Sequence, residues 1–403
     1  MFIKFSFRRN LIYPLQYIIW SLLRELLIMV NYLVINFESH EIFLSLMFLG
    51  ELLGGAIMYC YERKIMKKKT EEKQEKYFMS IKLIEYDKEV GDFFVPLDGK
   101  IKIIFLMFLS AFNDFVQFSI TTIEIYKLKM LSYSINHRLS GISTISAFLF
   151  HVYALKLPVF KHHKISLLII GICLIVVIIM EFIFETMKTF VTFIYVLKAV
   201  VYIIFSQVLT SCKDSIEKYL FEFDYMNPFV VLMYEGLFGF LLSFLLFINK
   251  NYFKDIEKFI EKKRGETDRK KHIIALPFLF LSYIILRGGK NLFRIVTNKI
   301  YSPMTKSFID YVLNPFYIIY YFSIYNDFYI KANLNYSFLL INIIISLIIS
   351  FFGCVYNEFI ILFCCGLERN THDQISQRAK SFDELSELVK FDNGSDDDEE
   401  NNY

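Results

Sequence analysis

Asn227 to Phe240 reads NPFVVLMYEGLFGF and opens an apolar run that continues to about residue 248. That run is long enough to span a hydrocarbon core of roughly 30 Å. Glu235 lies seven positions after Pro228, so on a helix its Cα sits about 10 Å below the surface. An ionisable side chain at such depth costs about 2.5–3.5 kcal/mol on insertion scales, and is tolerated where it faces protein or a water-filled cavity. Two readings are open for Glu235: a structural carboxylate bonded to a neighbouring helix, or a group that orders a cavity, meets a solute or couples to a proton. Gly236 and Gly239 follow it, and small residues let a second backbone come close.

The same pattern extends over most of the chain. Of its 403 residues 55% are apolar, and the mean hydropathy is +0.43. A soluble domain cannot bury that much apolar surface, so the sequence reads as a polytopic membrane protein. A net charge of +3 is too small to point to nucleic acid. The six cysteines all fall inside or at the ends of apolar runs, which gives no structural disulfide. Cys364 and Cys365 at a membrane edge are either free thiols or sites of S-acylation. The first apolar run is too long for a signal-peptide core and lacks a small-residue cleavage site, so it is expected to act as an uncleaved anchor.

Ten spans are predicted, at about 11–33, 42–60, 101–122, 130–153, 165–183, 191–211, 228–248, 273–293, 304–325 and 336–357. Arg8, Arg9 and the lysine-rich loop 61–100 place the N-terminus (1–10) and that loop in the cytosol. An even number of spans puts the acidic tail, 366–403, there too, and its composition predicts disorder. The basic loop 249–272 disagrees, since ten spans place it outside. The sequons at Asn335 and Asn393 are expected to be unused, one hugging the membrane and the other cytosolic. Phe359 to Cys365 is too short to cross and is expected at the interface.

Ten spans divide into five and five, 11–183 and 191–357. An odd number per half gives the halves opposite topology, an arrangement that carriers use to alternate access around a midplane site. A faint echo links Ser134-Ile135-Asn136-His137-Arg138 with Ser302-Pro303-Met304-Thr305-Lys306: a serine, a cation four positions on, then an apolar run.

Polar residues recur within the spans. Asn113, Asp114 and Gln117 lie in the third, the last two on one helix face. Asn136, His137 and Arg138 lie in the fourth. Arg287, Lys290, Asn291 and Arg294 form a single stripe at three- and four-residue steps. Lys306 and Asp310 are four apart and can pair. These groups read as a wet cavity whose cations hold an anionic substrate, or as residues that snorkel or satisfy one another, Arg294 foremost. His151, His162 and His163 read as solvated. The sequence contains no GxSxG, HExxH or phosphate-binding Gly-rich loop, so neither an enzyme, a cofactor nor a metal centre is expected.

Six segments in order resemble one family: Phe48-Leu49-Gly50-Glu51, Ala111 to Asp114, Ser134 to Gly141, Asn227-Pro228 through Glu235 to Gly239, Ser302 through Asp310, and Tyr356-Asn357-Glu358. The chain resembles the drug/metabolite transporter superfamily, in the branch of ten-span solute carriers related to nucleotide-sugar transporters (solute carrier family 35-like, with EamA-type repeats). The resemblance implies an all-α membrane protein of ten transmembrane helices in two inverted five-helix repeats. It implies secondary transport of a small polar, anionic solute, a nucleotide sugar or related metabolite, by alternating access across a Golgi, ER or endolysosomal membrane. Two positions depart from the family pattern: Ser140 stands where relatives often carry an arginine, with Arg138 two residues earlier, and Leu313 stands where an arginine often follows the aspartate of the ninth span. The expected substrate-binding set is Asn113, Asp114, Gln117, Asn136, Arg138, Glu235, Arg287, Lys290, Asn291, Lys306 and Asp310. The expected partners are the lipid bilayer and a small-molecule solute, with no nucleic acid and a homodimer allowed. The alternative is a non-transporting scaffold or receptor that works through the 61–100 loop and the tail.

Overall fold

Long apolar runs without glycine or proline clusters leave the backbone one economical way to satisfy its hydrogen bonds in lipid, the helix. The computed structural model describes residues 3–5, 12–31, 35, 37, 39–72, 99–120, 139–153, 160–189, 193–249, 256–257, 259, 269–301, 303–317, 334–363 and 367. Among these residues ten helices follow in order: α1 (Ile12–Val30), α2 (His40–Glu72), α3 (Gly99–Phe118), α4 (Gly141–Tyr153), α5 (Lys161–Thr189), α6 (Phe193–Glu222), α7 (Pro228–Asn249), α8 (Arg269–Ile300), α9 (Pro303–Val312) and α10 (Leu334–Tyr356). Five of them are long and apolar enough to cross a membrane, over Glu41–Ile65, Gly99–Phe118, Lys161–Met180, Pro228–Leu245 and Leu339–Tyr356. Their outward faces suit lipid: on α5, Leu168, Ile172, Ile175 and Ile179 are exposed along one stripe, and on α10 Ile344, Leu347 and Phe351. The chain is therefore an all-helical protein of membrane class.

Each predicted span meets a helix, with differences at the ends. Helix α6 runs eleven residues beyond the expected end at 211, to Glu222. Helix α9 stops at Val312, a turn falls at Leu313, and one more helical turn follows over 314–317. The fourth helix starts at Gly141. The expected beginning of that span, 130–138, lies outside the described residues, as do Asn136, His137 and Arg138, the thiols Cys364 and Cys365, most of the loops 61–100 and 249–272, and all but one residue of the tail.

The apolar piece after α10 is not merely interfacial. Ile360–Leu362 forms a strand, β2, antiparallel to β1 (Ile3–Phe5), with Lys4 opposite Ile361. His162 and His163 are also placed differently from expectation. His162 is buried, with Nε2 3.6 Å from Glu358 Oε1, and His163 stacks on Tyr356 at 4.4 Å between ring centroids. The cationic flanks of Lys161 and Lys164 suggest a solvated turn, but α5 starts at Lys161 and lays both imidazoles against the end of α10.

Helix α2 is the hub, packed on α7 and α8; α3 packs on α6 and α7, α1 on α8, α4 on α6, and α5 on α10. Helices α2 and α7 cross antiparallel. Gly239 faces Phe48, Gly236 faces the backbone of Glu51 and Leu52, and Gly55 faces Met233, so numbers rise on one helix as they fall on the other. Near the end of this contact Asn227 donates to Glu62. A Cβ on Gly55 would lie 2.7 Å from the Met233 nitrogen, and one on Gly288 of α8 2.6 Å from the Gly50 carbonyl oxygen. Only glycine permits these approaches, because side chains cannot yield when backbone is the obstacle.

Two apolar clusters anchor the bundle. One joins α4, α5, α6, α9 and α10 through Leu174, Ile203, Tyr311 and Ile349, and the other joins α3, α6, α7 and α8 through Leu106, Tyr219, Leu232 and Ile295. Helix α6 serves both, Val200 and Ile203 in the first, Ile216, Tyr219 and Leu220 in the second. Between these, its buried face turns polar: Ser206, Gln207, Ser211, Lys213 and Asp214.

Candidate functional site

Lys213, Asp214 and Glu217 are 3%, 1% and 0% exposed, which a soluble loop would never require. A buried charge survives only when paired and hydrogen-bonded, and each of these is. Lys213 Nζ lies 2.7 Å from Asp114 Oδ2 on α3, 3.9 Å from Glu217 and 3.7 Å from Glu235 on α7. Arg294 of α8 donates through Nη1 to Asp214 Oδ1 at 2.9 Å and through Nη2 to Glu217 Oε1 at 2.6 Å, with Glu235 Oε2 at 3.6 Å. Lys306 of α9 reaches Asp214 Oδ2 at 3.0 Å and Asp310 Oδ2 at 3.3 Å. Tyr17 of α1 donates to Asp310 Oδ1 at 2.6 Å. One continuous ionic network thus ties together α1, α3, α6, α7, α8 and α9.

The network holds its helices by interdependence more than by gross attraction. Desolvation offsets much of the Coulomb gain, but removing one member leaves the others buried and uncompensated, at about 3–5 kcal/mol. Asn298 extends it, donating to the Asp214 carbonyl and to Glu217 Oε2, both at 2.9 Å.

Beside the network is a cavity of about 170 Å³. Its wall takes Tyr17 and Arg24 from α1, Met47 from α2, Asp114, Gln117 and Phe118 from α3, and Gln207, Thr210, Lys213 and Asp214 from α6. It is completed by Arg287, Lys290, Asn291 and Arg294 from α8, Lys306 and Asp310 from α9, and by Ser140 and Tyr317. The cations of this wall are held in different ways. Lys213, Arg294 and Lys306 belong to the network, and Arg24 pairs with Glu25. Arg287 donates to Tyr283 Oη at 3.2 Å and faces the Phe118 ring at 5.8 Å. Lys290 has no carboxylate within ion-pair distance among the described residues; its ammonium stands 5.6 Å from the centre of the Tyr17 ring. A cation on an aromatic face keeps its charge available to a third group, which a cation in a carboxylate pair does not.

Of the residues expected from sequence, Asp114, Gln117, Arg287, Lys290, Asn291, Lys306 and Asp310 meet around this cavity. Asn113 and Glu235 stand behind it. Asn113 is buried against Cys212, and Glu235, accepting a hydrogen bond from Ser110 Oγ, backs Lys213 and Arg294. Asn136 and Arg138 lie outside the described residues. Arg294 does not snorkel: it is 5% exposed at the centre of the ionic network.

Sequence reading missed Tyr17, Arg24, Lys213 and Asp214 on the wall and Glu51 and Glu217 behind it. Gln207, Thr210, Lys213, Asp214 and Glu217 repeat at three- and four-residue steps, a helical face legible in the sequence. Glu51 carries a plainer signal. Glu51-Leu52-Leu53-Gly54-Gly55 on α2 and Glu235-Gly236-Leu237-Phe238-Gly239 on α7 share the pattern E-x-L-x-G, and the two helices are five apart in order.

Neither a family model nor a curated protein matches the chain. Among the described residues no group of three or more His, Cys, Asp or Glu is placed to hold a metal ion.

Proposed function

We propose that the chain is a secondary transporter of a small anionic organic solute, working by alternating access across an endomembrane with both termini cytosolic. The observation that carries this reading is the cavity among the helices of an apolar bundle, with Lys290 presented on the Tyr17 ring and no carboxylate within ion-pair distance of it among the described residues. A cation in such a place is costly unless something anionic visits it.

The helix pairing supports two inverted five-helix repeats and the resemblance to the drug/metabolite transporters. Shifting each helix by five turns the α1/α8 contact into α6/α3, α2/α8 into α7/α3 and α4/α6 into α9/α1, and all of these contacts exist. The α2/α7, α4/α9 and α5/α10 contacts map onto themselves, as expected for pairs lying on a two-fold axis. The antiparallel crossing of α2 and α7 and their shared E-x-L-x-G agree with it.

Size narrows the solute. At about 170 Å³ the cavity is below the roughly 300–1,000 Å³ of pockets for drug-sized ligands. A small carboxylate or phosphate ester fits this conformation; a nucleotide sugar requires the helices to part. Ser140, where relatives often carry an arginine, lines the wall, and Leu313 lies buried against apolar neighbours.

The test is a thermal-shift series on the purified protein with inorganic sulfate, inorganic phosphate, small carboxylates, nucleotides and nucleotide sugars, since a ligand that binds the native state raises apparent stability. The expected result is protection by small anions, lost in Lys290→Gln. No protection by any anion overturns the reading.

A further inference from the structure

The carrier reading leaves two buried carboxylates without a task. Glu51 on α2 and Glu235 on α7 are both 0% exposed and are absent from the cavity wall. Each takes one hydrogen bond from the neighbouring polar helix: Asn291 Nδ2 of α8 donates to Glu51 Oε1, and Ser110 Oγ of α3 donates to Glu235 Oε1. Helices α3 and α8 are themselves five apart, so the two arrangements are copies of one another. In each the second oxygen, Oε2, is buried without a hydrogen bond among the described residues.

The surroundings are charged from several sides. Glu235 is faced by Lys213 and Glu217 of α6, Arg294 of α8 and Glu51 of α2. Glu51 is faced by Lys213 of α6, Asp114 of α3, and Arg287 and Arg294 of α8. Lys213 and Arg294, the nearest cations to Glu235 Oε2 at 3.7 and 3.6 Å, also line the cavity. An anion in the cavity therefore competes with Glu235 for the same two cations.

The charge balance makes that competition decisive. Setting aside the Arg24–Glu25 pair, the described groups in and behind the wall comprise six carboxylates, Glu51, Asp114, Asp214, Glu217, Glu235 and Asp310. Five cations, Lys213, Arg287, Lys290, Arg294 and Lys306, stand against them. With every carboxylate ionised the interior opposes an anion.

We propose that Glu51 and Glu235 form a two-fold-related pair of proton-binding sites, and that an anionic solute enters together with protons on them. The step is simple addition: a proton from hydronium in solution bonds to a carboxylate oxygen, giving a neutral carboxylic acid and water, and no electrons are transferred. With Glu235 neutral, Lys213 and Arg294 keep their closer carboxylate partners, but the cavity gains one unit of positive charge, which favours an anion beside Lys290. By linkage, proton and anion strengthen each other's binding by the same factor. The anion half of this inference rests on the carrier reading; the proton sites do not.

The experiment follows the infrared carbonyl absorption of protonated carboxyl groups in the purified full-length protein as pH is lowered from about 9 to about 5, the range open to buried carboxyls. In parallel, thermal protection by inorganic sulfate, whose charge is constant over this range, is measured at both ends. The wild type is expected to gain a buried-carboxyl band. Glu51→Gln and Glu235→Gln each remove part of it, and the double variant removes it entirely. Sulfate protection is expected to be stronger at low pH in the wild type and independent of pH in the double variant. A wild type without the band overturns the proposal, and needs no variant to fold. A band that persists in the double variant, or sulfate protection of the wild type that is present and equal at both pH values, overturns it also. A band that the variants remove, with no protection by any anion at either pH, upholds the proton sites and overturns the carrier reading.

Discussion

Arg294 and Lys290 sit one turn apart on α8, and their neutralisation should have opposite consequences. Arg294→Gln removes the cation shared by Asp214, Glu217 and Glu235 at 2.9, 2.6 and 3.6 Å. Stranding buried carboxylates costs about 3–5 kcal/mol. With an unfolding entropy of about 2.1 cal/mol/K per residue, the 403-residue chain loses about 4–6 °C in melting temperature. Lys290→Gln removes a cation whose partner is the Tyr17 ring, worth about 2 kcal/mol, so the melting temperature falls by about 2 °C. Its loss appears instead in anion binding: a charge-assisted contact is worth about 1.5–3 kcal/mol, or roughly ten- to a hundredfold in affinity. The assay is paired differential scanning fluorimetry, each variant with and without sulfate. If Lys290→Gln destabilises as much as Arg294→Gln, or Arg294→Gln melts like the wild type, then the division between a holding network and a presenting lysine is wrong.

Three further outcomes are expected. Gly288→Ala places a methyl 2.6 Å from the Gly50 carbonyl oxygen; overpacking of this kind costs about 1–3 kcal/mol or more, seen as reduced folded yield on size-exclusion chromatography. A wild-type yield means α2 and α8 are further apart than described. Cysteines at Glu62 and Asn227, which hydrogen-bond across α2 and α7, should form an intramolecular disulfide with copper phenanthroline, detected as a mobility shift; its absence counts against the antiparallel crossing. His162→Leu should leave the melting temperature unchanged or higher. Both ring nitrogens of His162 are buried without hydrogen-bond partners among the described residues, and an apolar replacement of similar volume leaves no polar group unsatisfied. A drop of several degrees shows that the nearby Glu358 depends on it.

The helices were legible because lipid-exposed segments must be apolar over a fixed length, and hydropathy measures that directly. The polar stripe of α8 was legible from its spacing alone. The end of α6 carries a similar spacing, from Gln207 to Glu217, but its burial was not legible. Lys213, Asp214, Glu217 and Lys218 crowd six residues, and the hydropathy there is that of a loop. What makes them helical is across the bundle: Asp114 and Arg294 answer Lys213 and Glu217 from other helices, and such pairings leave no trace in a local window. Arg294 stays open between two readings for the same reason, since near a helix end a snorkelling arginine and a triply paired one have the same sequence. His162 failed differently. Flanking lysines predict water, but the ring follows its helix into contact with α10.

The small ribbon of β1 and β2 has a topological consequence. Hydrogen-bonded strands lie on one face of a bilayer, so the chain between Phe5 and Ile360 must cross an even number of times. The apolar helices long enough to cross number five among the described residues, an odd number. A further crossing completes the count, and where α1, α6, α8 or α9 supplies it, the buried charges of that helix travel through the bilayer inside the protein.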